Sequence, residues 1–241
     1  MQRYFCNFVG NQAVLDKDDV FHLTHVMRAK VGDKIEAVHD GEVYIAVIKS
    51  LRPLEIILSR RVKENNELPN YIVLIASLIK GDKLDLVLQK ATELGVSEIV
   101  LLQSERSVVK FKKDDKEIKL QRFNRILKEA AEQCRRSKIP ALYQVIDVAG
   151  LKHIEADKKI IAYEEEEGPT NSLNRIVESI KPGQKVAVLI GPEGGFSENE
   201  VDVAVRWGFK RVSLGKRILR AETASFYALS VISNYLEREK W

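Results

Sequence analysis

Val186-Ala-Val-Leu-Ile-Gly-Pro-Glu-Gly-Gly-Phe-Ser-Glu-Asn-Glu200 and, one helix later, Leu214-Gly-Lys-Arg-Ile-Leu-Arg-Ala-Glu-Thr-Ala224 share a pattern. In each, a short apolar run passes into a glycine-bearing loop that opens a helix. Glycine lets backbone approach a ligand closely and take positive φ. The unpaired N–H groups of a helix start favour polar or anionic ligand groups. Two such corners side by side would build a small-molecule pocket at the carboxyl ends of parallel strands. Either loop alone would also suit an ordinary strand-to-helix turn; the pair points to a site.

Working outward, the same alternation runs back to Tyr71. Tyr71 to Ala76 is a continuous apolar run, as a strand buried on both faces requires. Leu84, Val87, Leu88, Ala91 and Leu94 repeat at helical spacing, and Gly95 supplies the stop. Ile99 to Leu102 is the next strand and Lys116 to Arg135 a long amphipathic helix. Strands follow at Lys159 to Tyr163 and Val186 to Ile190, with a helix near Leu173 to Ile180 between them. Ser197 to Glu200 is a capping box whose helix Gly208 closes. Arg211 to Leu214 is the last strand, and Glu222 to Arg238 the last helix. This alternation predicts an α/β fold, a mainly parallel sheet flanked by helices, over residues 71–241.

Residues 1–68 read differently. Lys34 to Val38, Val43 to Ile48 and Glu55 to Leu58 are short β-rich runs, with a tight hairpin signal at Asp40-Gly41. Asp18 to Ala29 reads as a short helix carrying His22, His25 and Arg28. The result is a small β-barrel-like module, joined to the rest through the polar stretch Val62 to Asn70.

The 241 residues are 45% hydrophobic, ample for a core, and 39 Lys and Arg stand against 35 Asp and Glu, net +4. That balance permits an RNA-binding face without requiring one. Basic clusters at Arg60-Arg61 with Lys63, Lys110 to Lys113, and Arg135-Arg136 with Lys138 suit either phosphate contacts or solvated surface; Glu164 to Glu167 reads as a solvated acidic loop. Cys6 and Cys134 lack metal-ligand spacing, so no metal is expected. The start, Met1 to Cys6, has no basic region followed by an apolar signal core, and no apolar run reaches membrane-spanning length, so the cytoplasm is the expected location. Gly191 to Gly195 does not fit G-x-G-x-x-G, and neither a phosphate-binding P-loop nor a G-x-S-x-G elbow occurs. The pocket is left for a cofactor held mainly by backbone.

The two quoted stretches resemble the cofactor motifs of the knotted SPOUT class of RNA methyltransferases, and more narrowly the RsmE family, which methylates N3 of a uridine in 16S ribosomal RNA of the small subunit. Lys90-Ala-Thr-Glu-Leu-Gly-Val96, Ser104-Glu-Arg-Ser-Val108 and Ala130-Ala-Glu-Gln-Cys134 resemble further family segments. His25-Val-Met-Arg28, Val31-Gly-Asp33 and Asp40-Gly41 resemble its small PUA-like RNA-binding barrel. One departure stands out: Arg135-Arg136 occupies the place of a glycine and one basic residue. The resemblance implies a trefoil knot in the carboxyl-terminal half, S-adenosylmethionine bound within it, and a homodimer whose interface completes each site.

It also implies roles for individual residues. Leu189, Gly191, Glu193, Gly194, Leu214, Ile218, Leu219, Thr223 and Ala224 would hold the cofactor. Arg3, Arg28, Arg106 and Arg135 would contact RNA. Uracil N3 is a poor nucleophile until its proton leaves, so the site needs proton removal and donors for the charge spreading onto two carbonyl oxygens. Arg217 and Arg220 are the candidates for holding that nucleotide; phosphate positioning, or a salt bridge to Glu193 or Glu222, are their other readings. Glu222 is either a base or an ordinary first-turn acid. Other readings of the chain are a knotted methyltransferase with another target, such as a transfer RNA ribose 2′-hydroxyl, a non-catalytic RNA-binding assembly protein and, most remotely, a dinucleotide-dependent oxidoreductase.

Overall fold

The structure, a computed structural model, describes residues 1–110, 116–166 and 171–238. They divide into two compact units, residues 1–67 with 128–139, and residues 68–127 with 140–241. The chain returns to the first unit for Lys128–Ile139.

The first unit holds strands β1 (Arg3–Phe5), β2 (Asn7–Val9), β3 (Gln12–Val14), β4 (Lys34–His39), β5 (Glu42–Leu51) and β6 (Leu54–Val62). Their order is β1-β4-β5-β6-β3-β2, with β1 parallel to β4 and every other pairing antiparallel. The two end strands are separated in the chain by Cys6 alone. A sheet whose edges are one residue apart must curl back on itself, and the strands therefore wrap as a barrel around Tyr4, Leu23, Ile35, Ala46, Ile48 and Ile56. Asp40 and Gly41 both take positive φ, 48° and 82°, as a two-residue hairpin demands.

Helix α1 (Lys17–Phe21) starts at Asp16, whose carboxylate accepts from the Asp19 N–H at 2.8 Å. It is shorter than the predicted Asp18 to Ala29. At His22–Val26 it widens into a π-type turn, with the Met27 N–H reaching back five residues to the His22 carbonyl. Arg28, at φ 51°, lies outside the helix.

Lys128–Ile139 joins this unit through polar bonds. The Lys128 ammonium sits 2.8 Å from Asp16 and 2.5 Å from Asp19, and Glu132 accepts from the Phe5 N–H at 3.0 Å. Burial pushes the Glu132 carboxyl up to about 7, opposed by that hydrogen bond and assisted by the charge on Asp19. Asp19 is likewise raised by burial, against its hydrogen bond to Lys128.

The second unit alternates strand and helix. In chain order it contains β7 (Tyr71–Ser77), α2 (Lys83–Glu93), β8 (Glu98–Gln103), α3 (Lys116–Gln133), β9 (Ala141–Asp147), β10 (Lys158–Ala162), α4 (Leu173–Val177), β11 (Lys185–Ile190), α5 (Glu198–Arg206), β12 (Lys210–Val212) and α6 (Ala221–Glu237). The last turns of α3 belong to the first unit. All the pairings in the order β12-β10-β11-β7-β8-β9 are parallel. The period of two sorts β7 between two cores: Ile72, Leu74 and Ala76 pack with Leu88 of α2 and Ala228 of α6, whereas Val73 and Ile75 pack with Val201 and Ala204 of α5. Strand β9 and the 3₁₀ turn Val148–His153 after it were not predicted. β9 is an edge strand with exposed Tyr143, so its sequence lacks the continuous apolar run that marks the inner strands.

Candidate active site

The carboxyl ends of β10, β11 and β12 open into a cavity of about 390 Å³. The two quoted corners form most of its wall, which is what their side-by-side placement required. Strand β11 ends at Ile190, and the loop Gly191 to Phe196 turns into α5. Gly195 takes φ 66°, and a Cβ there would collide with the Glu164 carboxylate. From the other corner, Gly215 at φ 116° turns the loop that carries Lys216 to Arg220 along the pocket.

Both corners are anchored. Ser197 and Glu200 form the predicted capping box of α5, Glu200 accepting from the Ser197 N–H at 2.9 Å. The other oxygen of Glu200 accepts from the Glu105 N–H at 2.7 Å, which ties the loop after β8 to the glycine corner. Arg106, next in that loop, donates to the Gly194 carbonyl at 3.1 Å.

Of the predicted cofactor residues, Gly191, Glu193, Leu214, Ile218, Leu219 and Ala224 line this one cavity, with Arg217 and Arg220. Leu189, Gly194 and Thr223 do not line it. Leu189 points to the opposite core, against Phe196 and Val201, and it is Ile190, one residue on, that reaches the pocket. Thr223 is exposed on the first turn of α6.

The cavity also uses residues that the motifs did not reveal, notably Lys83, Ala162, Tyr163 and Glu164. The last three follow directly from β10, and the rule that ligands sit beyond the carboxyl ends of parallel strands was the available signal. The Tyr163 hydroxyl donates to Glu165 at 2.6 Å; that hydrogen bond, with burial, raises its pKa to about 12. It stays protonated and cannot serve as a base at neutral pH.

Lys83, at the start of α2, bears on one alternative for the arginines, the salt bridge to Glu193 or Glu222. Its ammonium lies 3.8 Å from Glu193 and 3.6 Å from Glu222, so both acids face Lys83. The guanidinium groups of Arg217 and Arg220 have no ion-pair or hydrogen-bond partner among the described residues. The two lysine contacts exceed hydrogen-bond length, so its N–H donors remain free for an anionic ligand group. Glu222 Oε2 is buried and has no hydrogen-bond partner among the described residues. A buried carboxylate oxygen left this way is costly unless a ligand donates to it.

The four arginines expected on RNA fare differently. Arg28 and Arg106 are exposed. Arg135, half-exposed, donates to Glu36 at 3.1 Å. Arg3 is a correction: it is only 2% exposed, donates to Glu36 at 2.9 Å and to the carbonyls of Arg135 and Arg136, and cannot reach RNA. Its neighbour Tyr4 fills the barrel core, so Arg3 points to the other face of β1, where Arg135 and Arg136 cover it. Among the basic clusters, Arg136 is buried on Glu67 and Arg61 pairs with Glu42. Residues 111–113 of the Lys110 cluster, and residue 167 of the acidic run, lie outside the described residues. Among the described residues no group of side chains could hold a metal ion, and no helix is long and apolar enough to cross a membrane.

Comparison with known proteins agrees with this geometry. Residues 66–233 match the family described as RNA methyltransferase domain, and residues 15–59 the one described as RNA methyltransferase PUA domain. The chain is 36% identical to ribosomal RNA small subunit methyltransferase E of Bacillus subtilis (strain 168), over 98% of each chain. Two solved structures superimpose over nearly all of it. One is a methyltransferase from Legionella pneumophila in complex with the cofactor SAM, with a TM-score of 0.86 at 30% identity over 98% of this chain and 97% of that one. The other is the ribosomal RNA small subunit methyltransferase E from Neisseria gonorrhoeae bound to S-adenosyl methionine, with a TM-score of 0.85 at 29% identity over 100% and 98%.

Proposed function

This chain belongs to the RNA methyltransferase family that contains ribosomal RNA small subunit methyltransferase E, and from that premise we propose that it methylates N3 of a uridine in 16S ribosomal RNA, using S-adenosylmethionine. One observation carries the chemistry. A pocket built from two glycine corners holds two arginines without acidic partners and a buried carboxylate oxygen without a donor.

The pocket fits the cofactor. Ile190, Leu214, Leu219 and Ala224 offer an apolar wall to an adenosine, the glycine corners offer backbone groups, and the free donors of Lys83 suit a methionyl carboxylate. When bound, S-adenosylmethionine supplies a methyl group on a sulfonium, an electrophile that demands an aligned nucleophile. The protein must make uracil N3 that nucleophile. In this reading Glu222 Oε2 accepts the N3 proton. Arg217 and Arg220 then hold the negative charge that spreads over the two neighbouring carbonyl oxygens. Arginine suits that task because it stays charged and presents a fork of donors. Pre-placed donors of this kind contribute more in a shielded pocket than in water.

The exposed Arg28 and Arg106 support RNA contact outside the pocket. Ile218 supports a homodimer: at 87% exposed on the pocket loop, it is an apolar side chain that a second copy would cover. The test of substrate class is transfer of labelled methyl from S-adenosylmethionine to small ribosomal subunits lacking the modification, with transfer RNA as the competing substrate. Label in 16S ribosomal RNA supports the reading. Label in transfer RNA alone, or none despite cofactor binding, overturns it.

A further inference from the structure

The helix of the first unit carries a feature that the pocket chemistry does not use. Phe21 and His25 lie four residues apart and stack face to face, ring centroids 4.6 Å apart and planes 14° from parallel. Both are exposed, Phe21 by 58%. Val26 and Met27 beside them are exposed too. Aromatic surface left in water forgoes the gain of burial, so an exposed stack calls for an explanation.

The backbone is shaped around it. The π-type turn His22–Val26 begins directly after Phe21, and Arg28 follows in the left-handed region at φ 51°. Both are uncommon for residues with side chains, and both cluster at functional segments. The Thr24 hydroxyl donates to the Val20 carbonyl at 2.7 Å and lies 2.8 Å from His25 Nδ1. With its one proton given to Val20, Thr24 can only accept, so Nδ1 carries a proton and the ring is held in place.

The surrounding charge selects an occupant. Lys17 lies four residues before Phe21, and Arg28 and Lys30 follow His25 in the chain; all are exposed. Of the acids on this helix, Asp16 and Asp19 share the single charge of Lys128, and Asp18 is exposed. A stripe of aromatic faces ended by cations matches a chain of flat bases joined by phosphates. A duplex keeps its base faces stacked on each other and offers none.

We propose that Phe21 and His25 form a base-stacking platform for an unpaired stretch of RNA, with Arg28 and Lys17 on its phosphates. This rests on the RNA-modifying function proposed above and names the form of RNA that the small unit receives.

The experiment measures binding of the full-length protein to a labelled single-stranded oligoribonucleotide and to a blunt duplex of the same sequence, across a salt series. Because Phe21 is exposed, Phe21→Ala keeps the fold, which thermal melting verifies. Phe21→Ala is expected to weaken single-strand binding about tenfold, the range for loss of one stacked base. Duplex binding and the slope of affinity against salt stay unchanged, and Phe21→Trp binds like the parent. Arg28→Ala lowers the salt slope by about one, as loss of one phosphate contact does. Equal single-strand affinity for Phe21→Ala and the parent overturns the proposal. So does an equal loss on duplex, or a change of oligomeric state with RNA affinity intact, which would make the stack a contact between copies. Methyl transfer separates this from the functional reading. Transfer by the parent, with KM for RNA unmoved in Phe21→Ala, sinks the platform alone. No transfer, with single-strand binding still dependent on Phe21, sinks the function alone.

Discussion

The two units of this molecule treat charge in opposite ways. In the barrel unit, cations face acids at close range: Arg3 on Glu36, Lys128 on Asp16 and Asp19, Arg136 on Glu67. At the mouth of the parallel sheet, Arg217 and Arg220 stand without such partners, and the nearby acids face Lys83 at longer range. A basic residue therefore means little as a count. Arg3 and Arg220 look alike in the sequence, yet one holds the fold and the other is free for a ligand. The difference follows from position: a charged side chain buried under packed chain needs a partner there, whereas one on a loop beyond a strand end does not.

That contrast can be broken at four places, from the largest expected effect to the smallest. Arg3→Met leaves buried Glu36 with only Arg135 beside it. Urea unfolding should show a loss of about 3–5 kcal/mol, the usual cost of breaking a buried pair, while methyl transfer per folded molecule stays unchanged. Arg220→Ala should do the reverse. The loss of one pre-placed donor lowers turnover by about 10²–10³-fold, and calorimetry should find S-adenosylmethionine binding within a few-fold of the parent. Lost cofactor binding with intact single-turnover chemistry would move Arg220 to a structural role.

The third test is of pH. Glu132 holds its proton up to about 7 in the folded chain, against an ordinary 4.5. Between those values the folded state binds a proton that the unfolded state has released, so stability falls as pH rises across that window and levels off above it. The fall attributable to this group is at most about 3 kcal/mol. Glu132→Gln keeps the acceptor for the Phe5 N–H and should remove that fall, as thermal melts from pH 4.5 to 7.5 would show.

The smallest effect concerns Arg135, which takes φ 61° just past the end of α3. Arg135→Gly and Arg135→Ala both delete its pair with Glu36 and differ only in backbone freedom. The glycine variant should be the more stable by about 1 kcal/mol; equal stabilities would mean that the left-handed position carries no strain.

This also explains how far the sequence could be read. The inner strands β7, β8 and β11 are legible because burial on both faces leaves an unbroken apolar run. The edge strand β9, with Tyr143 in solvent, leaves no such trace. Both glycine corners are legible because backbone geometry selects glycine at Gly195 and Gly215. Lys83 is not: it comes from α2, more than a hundred residues earlier in the chain, and nothing local distinguishes it from a surface lysine. The glycine expected in place of Arg135 now has a physical reason, since the position is left-handed. The burial of Arg3 depends on Glu36 in a strand 33 residues away, which no local pattern reports.

The most direct test of the central claim, that the unpaired arginines serve a base deprotonated at N3, is the identity of the product. Small ribosomal subunits lacking the modification would be incubated with the protein and S-adenosylmethionine. The 16S ribosomal RNA would then be digested and its nucleosides separated against standards by mass spectrometry. The account predicts 3-methyluridine, abolished in Arg220→Ala. A 2′-O-methylated nucleoside would contradict it, because a ribose hydroxyl places no spreading base charge for Arg217 and Arg220 to hold.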